Sequence, residues 1–176
     1  MNSNRRQLLM AGSAVLSAGA LARQSNTNAT PAHNRTLSRD TDLAGLTPGQ
    51  PGVDYRPVVT PNGAALPFKV IDGVKVFHLV AEEVDHEFAR GLRAHCYGFN
   101  GRVHGPTIEA LEGDRVRIYV TNRLKVPTSV HWHGILLPNG MDGVGGLTQR
   151  PIEPGETFRY EFPLLQHGTY MYHSHH

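Results

Sequence analysis

Two pairs of histidines carry the chemical promise of this sequence: His131-Trp132-His133-Gly134 and His173-Ser174-His175. On a strand, residues i and i+2 project from one face, about 7 Å apart at the backbone. Neutral imidazole is a good ligand for copper, zinc, iron and nickel. If the two segments pair, four ring systems converge on one region and can hold metal. Spacing alone leaves the metal open, because two histidines at i and i+2 joined by a third also suit a mononuclear zinc site. His176 follows directly and points away from His175 on a straight strand, so no role is assigned to it. Cys96 is the single cysteine, which excludes an internal disulfide or a multi-thiolate metal site. His95 and Cys96 are adjacent, so on a strand they face opposite ways and make a poor catalytic pair.

The elements that must position these residues read as strands. Val74, Val76 and Val80 alternate with their neighbours, and Arg93 to Asn100 alternates before an Asn100-Gly101 turn. Thr107 to Ala110 leads into a Glu112-Gly113-Asp114 turn. Arg115 to Asn122 then alternates cleanly, with Val116, Ile118 and Val120 facing inward. Further strands are read at Thr128–His133, Thr157–Phe162 and Gly168–His173. Glu82 to Ala89 is ambiguous, a loop or a helical turn. With 19 glycines and 12 prolines punctuating short strands, the expected class is all-β, a sandwich or Greek-key barrel. The last motif is read as cut off at His176, which leaves a sheet edge unpaired and implies a missing closing strand.

The amino-terminal part reads differently. Arg5-Arg6 precedes an apolar, small-residue run that closes on Ala20-Leu21-Ala22. That is the plan of an export signal over residues 1–22, of the twin-arginine type, and it is too short for a mature membrane anchor. Residues 23–67 are rich in polar residues, glycine and proline without periodicity, and read as an irregular leader. The chain has 17 basic and 15 acidic residues, and removing Arg5 and Arg6 balances them. No basic cluster remains to bind nucleic acid.

Residues 68–176 read as one domain, which from about residue 74 onward resembles the amino-terminal cupredoxin domain of the multicopper oxidases, of the laccase and copper-resistance type. The resemblance rests on an ordered series: Asn100 to Ile108, Glu112 to Val116, Val130 to Gly134, Met141 to Val144, Thr148 to Ile152, Pro154-Gly155 and Gln166 to His175. It implies a cupredoxin-like Greek-key β-sandwich and an enzyme that couples one-electron oxidation of a small reducing substrate to reduction of dioxygen to water. It also implies that His131, His133, His173 and His175 are half the ligands of a three-copper cluster. His131 takes the place of a type 2 copper ligand, His133 and His173 of ligands to one type 3 copper, and His175 of a ligand to the other. Asp142 stands where the family keeps an acidic residue that orients water or relays protons. The remaining ligands and the type 1 copper are expected on carboxy-terminal cupredoxin domains of the same polypeptide, and a periplasmic or secreted location follows. The alternatives are a copper-binding or copper-tolerance protein without oxidase activity, a nitrite-reductase-like cupredoxin, and the zinc module. His104 stands where the family often has proline and Arg150 where several eukaryotic members have cysteine.

Overall fold

The computed structural model describes residues 5–12 and 45–176. In chain order the strands are β1 (Gln7–Gly12), β2 (Lys69–Ile71), β3 (Val74–Ala89), β4 (Leu92–Phe99), β5 (Ile108–Leu111), β6 (Arg115–Asn122), β7 (Val130–His133), β8 (Thr157–Pro163) and β9 (Gly168–Ser174). They form an all-β sandwich of two mixed sheets, with no closed barrel among the described residues. One sheet has the order β5-β1-β9-β7; the other runs β2-β3-β6-β8, with β4 added along β3.

The alternation in β6 puts Val116, Ile118 and Val120 at 0% exposure, while the residues between them look outward. From the facing sheet, Leu8, Met10, Ile108, Val130, Trp132 and Tyr172 close over them. Trp132 is the centre of an aromatic group, with ring centroids 5.3 Å from Tyr160, 5.8 Å from Phe162 and 6.0 Å from Tyr172. Edge and tilted contacts of this kind add to area burial.

The Tyr160 hydroxyl ties the two sheets together by accepting the Val130 N–H at 3.1 Å. Burial pushes that phenol up to about 12, so it stays neutral. Tyr160→Phe leaves the Val130 N–H buried without its acceptor and is expected to cost about 1–3 kcal/mol. Urea denaturation measures it. A loss under about 0.5 kcal/mol would show that the amide finds another acceptor.

One expectation changes. Glu82 to Ala89 is neither loop nor helical turn but the second half of β3, paired residue by residue with β4 from Ala81↔Phe99 to Glu87↔Arg93. Its side chains are half-buried or exposed and none is buried, so no burial period marks it in the sequence. The pairing is held instead by cross-strand charge, including Glu87 with Arg93 and Asp85 with His95. At the other end, Gln7–Gly12, which lies within the stretch read as an export signal, forms a strand between β5 and β9, antiparallel to the first and parallel to the second. The part of the irregular leader between residues 45 and 67 holds turns and isolated bridges without a named strand, and residues 13–44 lie outside the described residues.

Candidate metal centre

β7 and β9 pair antiparallel in a register that sets His131 opposite His173 and Trp132 opposite Tyr172. The pleat then sorts the side chains. Trp132 and Tyr172 point into the core, and the histidines on either side point out of the other face. The histidines occupy the outer face: His133 and His175 are exposed, His131 and His173 half-buried.

Metal-binding atoms of His131, His133 and His173 lie within 4.8 Å of one another. His133 Nδ1 and His173 Nε2 are 3.2 Å apart. Two nitrogens bound to one ion at about 2.0–2.1 Å leave such a gap at a near-tetrahedral angle. His175 stands just past the end of β9, outside that tight group. Its ring centroid is 5.4 Å from that of His131 and 5.9 Å from that of His173. Two hydrogen bonds hold its carbonyl in place: the Ser129 hydroxyl donates at 2.8 Å and the Gly145 N–H at 3.1 Å. His104 is exposed and lies near His86 on the β3–β4 side, not in the group.

The hydrogen bonds also set the tautomers. His131 Nδ1–H donates to the Asp142 carbonyl oxygen at 2.6 Å, and His173 Nδ1–H donates to the Ser174 carbonyl at 2.9 Å. Each ring therefore keeps its Nε2 lone pair for a metal. Asp142 follows a single 3-10 turn, Asn139–Met141, and its N–H donates to the Asn139 carbonyl. Its carboxylate Oδ1 is 3.5 Å from His131 Nδ1. Gly143, next in the chain, is buried with φ +84, and a Cβ there would overlap the Val130 carbonyl oxygen. Only glycine lets this loop lie flat against β7, and that approach is what brings the Asp142 carbonyl to His131.

Ser129, Gly143 and Gly145 were not among the expected site residues. Gly143 was visible as the glycine after Asp142; Ser129 and Gly145 act through backbone and hydroxyl contacts that no spacing reveals. The all-imidazole donor set, with the tautomers of two rings fixed, suits a borderline ion such as copper. Among the described residues no helix is long and apolar enough to cross a membrane.

Comparison with known proteins points the same way. A family model described as multicopper oxidase matches residues 80–176. Copper resistance protein A of Pseudomonas syringae pv. tomato is 51% identical over 85 residues, which is 48% of this chain and 14% of that protein. Copper resistance protein A of Escherichia coli is 53% identical over 76 residues, 43% of this chain and 13% of that one. The chain thus spans about one seventh of these relatives' length. The solved multicopper oxidase from Campylobacter jejuni, described as a metallo-oxidase, superposes with a TM-score of 0.56 at 34% identity, covering 64% of this chain and 24% of that one.

Proposed function

Since the chain belongs to the multicopper oxidase family and forms a copper-binding domain of the cupredoxin type, we propose that its four histidines are one half of a three-copper cluster that reduces dioxygen to water. The other half, and the type 1 copper that accepts electrons one at a time from a small reducing substrate, belong to cupredoxin domains elsewhere in a longer polypeptide. The observation that carries this reading is the register of β7 on β9, which sets His131 opposite His173 and gathers three imidazoles within 4.8 Å. In this reading His131 binds the type 2 copper, His133 and His173 share one type 3 copper, and His175 binds the other. The 3.2 Å separation of His133 Nδ1 and His173 Nε2 supports the shared ion.

Bound copper supplies the one-electron redox steps and the oxygen binding that side chains lack. The chain's own residues do the positioning. The Asp142 carbonyl fixes the His131 tautomer, and the carboxylate beside it is 31% exposed, so it reaches solvent. It is placed to pass protons toward the site through water, and reduction of dioxygen to water consumes protons. The Ser129 hydroxyl and the Gly145 N–H hold the His175 backbone beside the group.

The half-shell reading makes a direct prediction. This chain, folded and loaded with copper, is expected to bind the metal without turning over dioxygen and without an intense blue band. Oxygen-electrode traces and visible spectra check both. Sustained oxygen uptake by the chain alone would sink the proposal. The second reading, copper tolerance without oxidase activity, draws on the names of the two relatives. It predicts copper binding and no oxygen uptake even in the longer polypeptide. In either reading the protein is exported, to the periplasm or beyond.

A further inference from the structure

The outer face of the sheet β2-β3-β6-β8 carries side chains that neither the core nor the histidine group uses. Strand pairing lays them out in rows. Lys69, Val76, Arg117 and Glu161 lie side by side in one row, and His78, Tyr119 and Arg159 in the next. A groove of about 510 Å³ opens over these rows, bounded by Phe68, Lys69, Val76, His78, Tyr119 and Thr121. That is the size of a small-molecule site, and such sites are mainly apolar with a few placed polar groups. The aromatic wall is fixed in place: the Phe68 ring centroid is 5.4 Å from that of Phe77, and the buried Lys75 ammonium lies 4.5 Å from it. Across the floor, His78 Nε2, Thr121 Oγ1 and Thr157 Oγ1 form a line of two hydrogen bonds, each 2.8 Å long.

The rim of the groove is cationic. Arg115, Arg117 and Arg159 all approach one carboxylate, that of Glu161, at 3.1, 2.7 and 3.9 Å. Three guanidiniums against one carboxylate leave two positive charges in excess. Arg117 donates to both oxygens of Glu161 and Arg115 to one. Arg159 is the loosest of the three: it stays beyond hydrogen-bond distance and its side chain is 62% exposed. It is also the lateral neighbour of Tyr119, so its guanidinium stands beside the groove's aromatic floor. Lys69 is exposed at the opposite rim. All four cations sit on strands, whose ladders hold their backbones in place. A guanidinium receives a carboxylate through two parallel hydrogen bonds, and an aromatic ring packs well on Tyr and Phe.

We propose that this groove binds a small aromatic carboxylate, its ring against Tyr119 and Phe68 and its carboxylate on the Arg159 guanidinium. Each half of that ligand answers one half of the site. A neutral aromatic molecule leaves the excess charge of the arginines unanswered, and a bare inorganic anion makes no use of the apolar wall. The groove lies on the outer face of one sheet and the histidine group on the outer face of the other. Binding here therefore needs no metal and does not depend on the oxidase reading.

The test titrates the metal-free full chain, isotope-labelled for nuclear magnetic resonance, with para-hydroxybenzoate and with its uncharged analogue para-hydroxybenzamide. The carboxylate is expected to give saturable amide shifts at Lys69, Val76 and Tyr119. The amide analogue should bind at least about fivefold more weakly, because it exchanges a charge-assisted hydrogen bond for a neutral one. Arg159→Gln is expected to erase that preference. Arg115→Gln removes the same charge from a side chain outside the groove, and should keep it. Equal binding of the two ligands by the parent chain, shifts centred on another surface, or no saturable shift with either ligand overturns the proposal without recourse to a variant. So does a preference that survives Arg159→Gln, or one that both arginine variants lose equally, which would mark a general attraction to net charge.

Discussion

Gly143→Ala is expected to destabilise the domain by more than about 3 kcal/mol and to strip it of copper. Two effects add. An alanine at φ +84 occupies the left-handed region at a cost of about 1–2 kcal/mol. The new Cβ would then overlap the Val130 carbonyl oxygen and stand 2.9 Å from the His131 Cα, both backbone atoms of β7 that cannot swing aside. The loop must lift, and the Asp142 carbonyl moves off His131 with it. Two other glycines of the same region separate the terms. Gly146 has φ +79 and open space around it, so Gly146→Ala should show only the conformational cost. Gly140 has open space and no left-handed φ, so Gly140→Ala should fall within about 0.5 kcal/mol of the parent. Denaturant midpoints and bound copper, measured together, give the ranking. Equal stability of all three variants would mean that the loop does not press on β7.

His131→Ala carries the second large effect. Its ring centroid lies 5.3 Å from that of His133 and 5.4 Å from those of His173 and His175, so it contacts all three of the others. Loss of a supporting hydrogen bond to a ligand costs roughly 10–100-fold in metal affinity, and loss of the ligand itself is expected to exceed that range. In the complete protein the type 2 copper signal in electron paramagnetic resonance should disappear, and copper titration should show more than about 100-fold weaker binding. His104→Ala, which removes an exposed ring near His86, should leave both readouts unchanged. Retention of the type 2 signal in His131→Ala would reassign that ligand.

The parts of this molecule that announce themselves in sequence are those where one face is buried and the other is not. Val116, Ile118 and Val120 declare β6 because their period is that of the pleat. The histidine pairs declare β7 and β9 because chemistry and period coincide there. The outer half of β3 stays silent because both its faces meet water, so charged residues replace alternation. β1 is silent for another reason: its partners β5 and β9 are about a hundred residues or more away in sequence, and its apolar run also has the composition of an export signal. The tautomer-setting groups of His131 and His173 are carbonyl oxygens of Asp142 and Ser174, which every residue type possesses. Their identity follows from the path of the backbone, and only a structure supplies that.

Trp132 is the only tryptophan in the chain, and it stands between His131 and His133 on the same strand, about 3.3 Å along the backbone from each. Its indole faces the core while its two neighbours face the candidate metal site. The indole is thus shielded from water yet close to any ion those neighbours hold. Cupric ion is paramagnetic and quenches nearby indole emission; cuprous ion is closed-shell and lacks that paramagnetic effect. The strand that carries the ligands therefore also carries an optical gauge of metal loading and oxidation state, readable in the unmodified protein by fluorescence without any added dye.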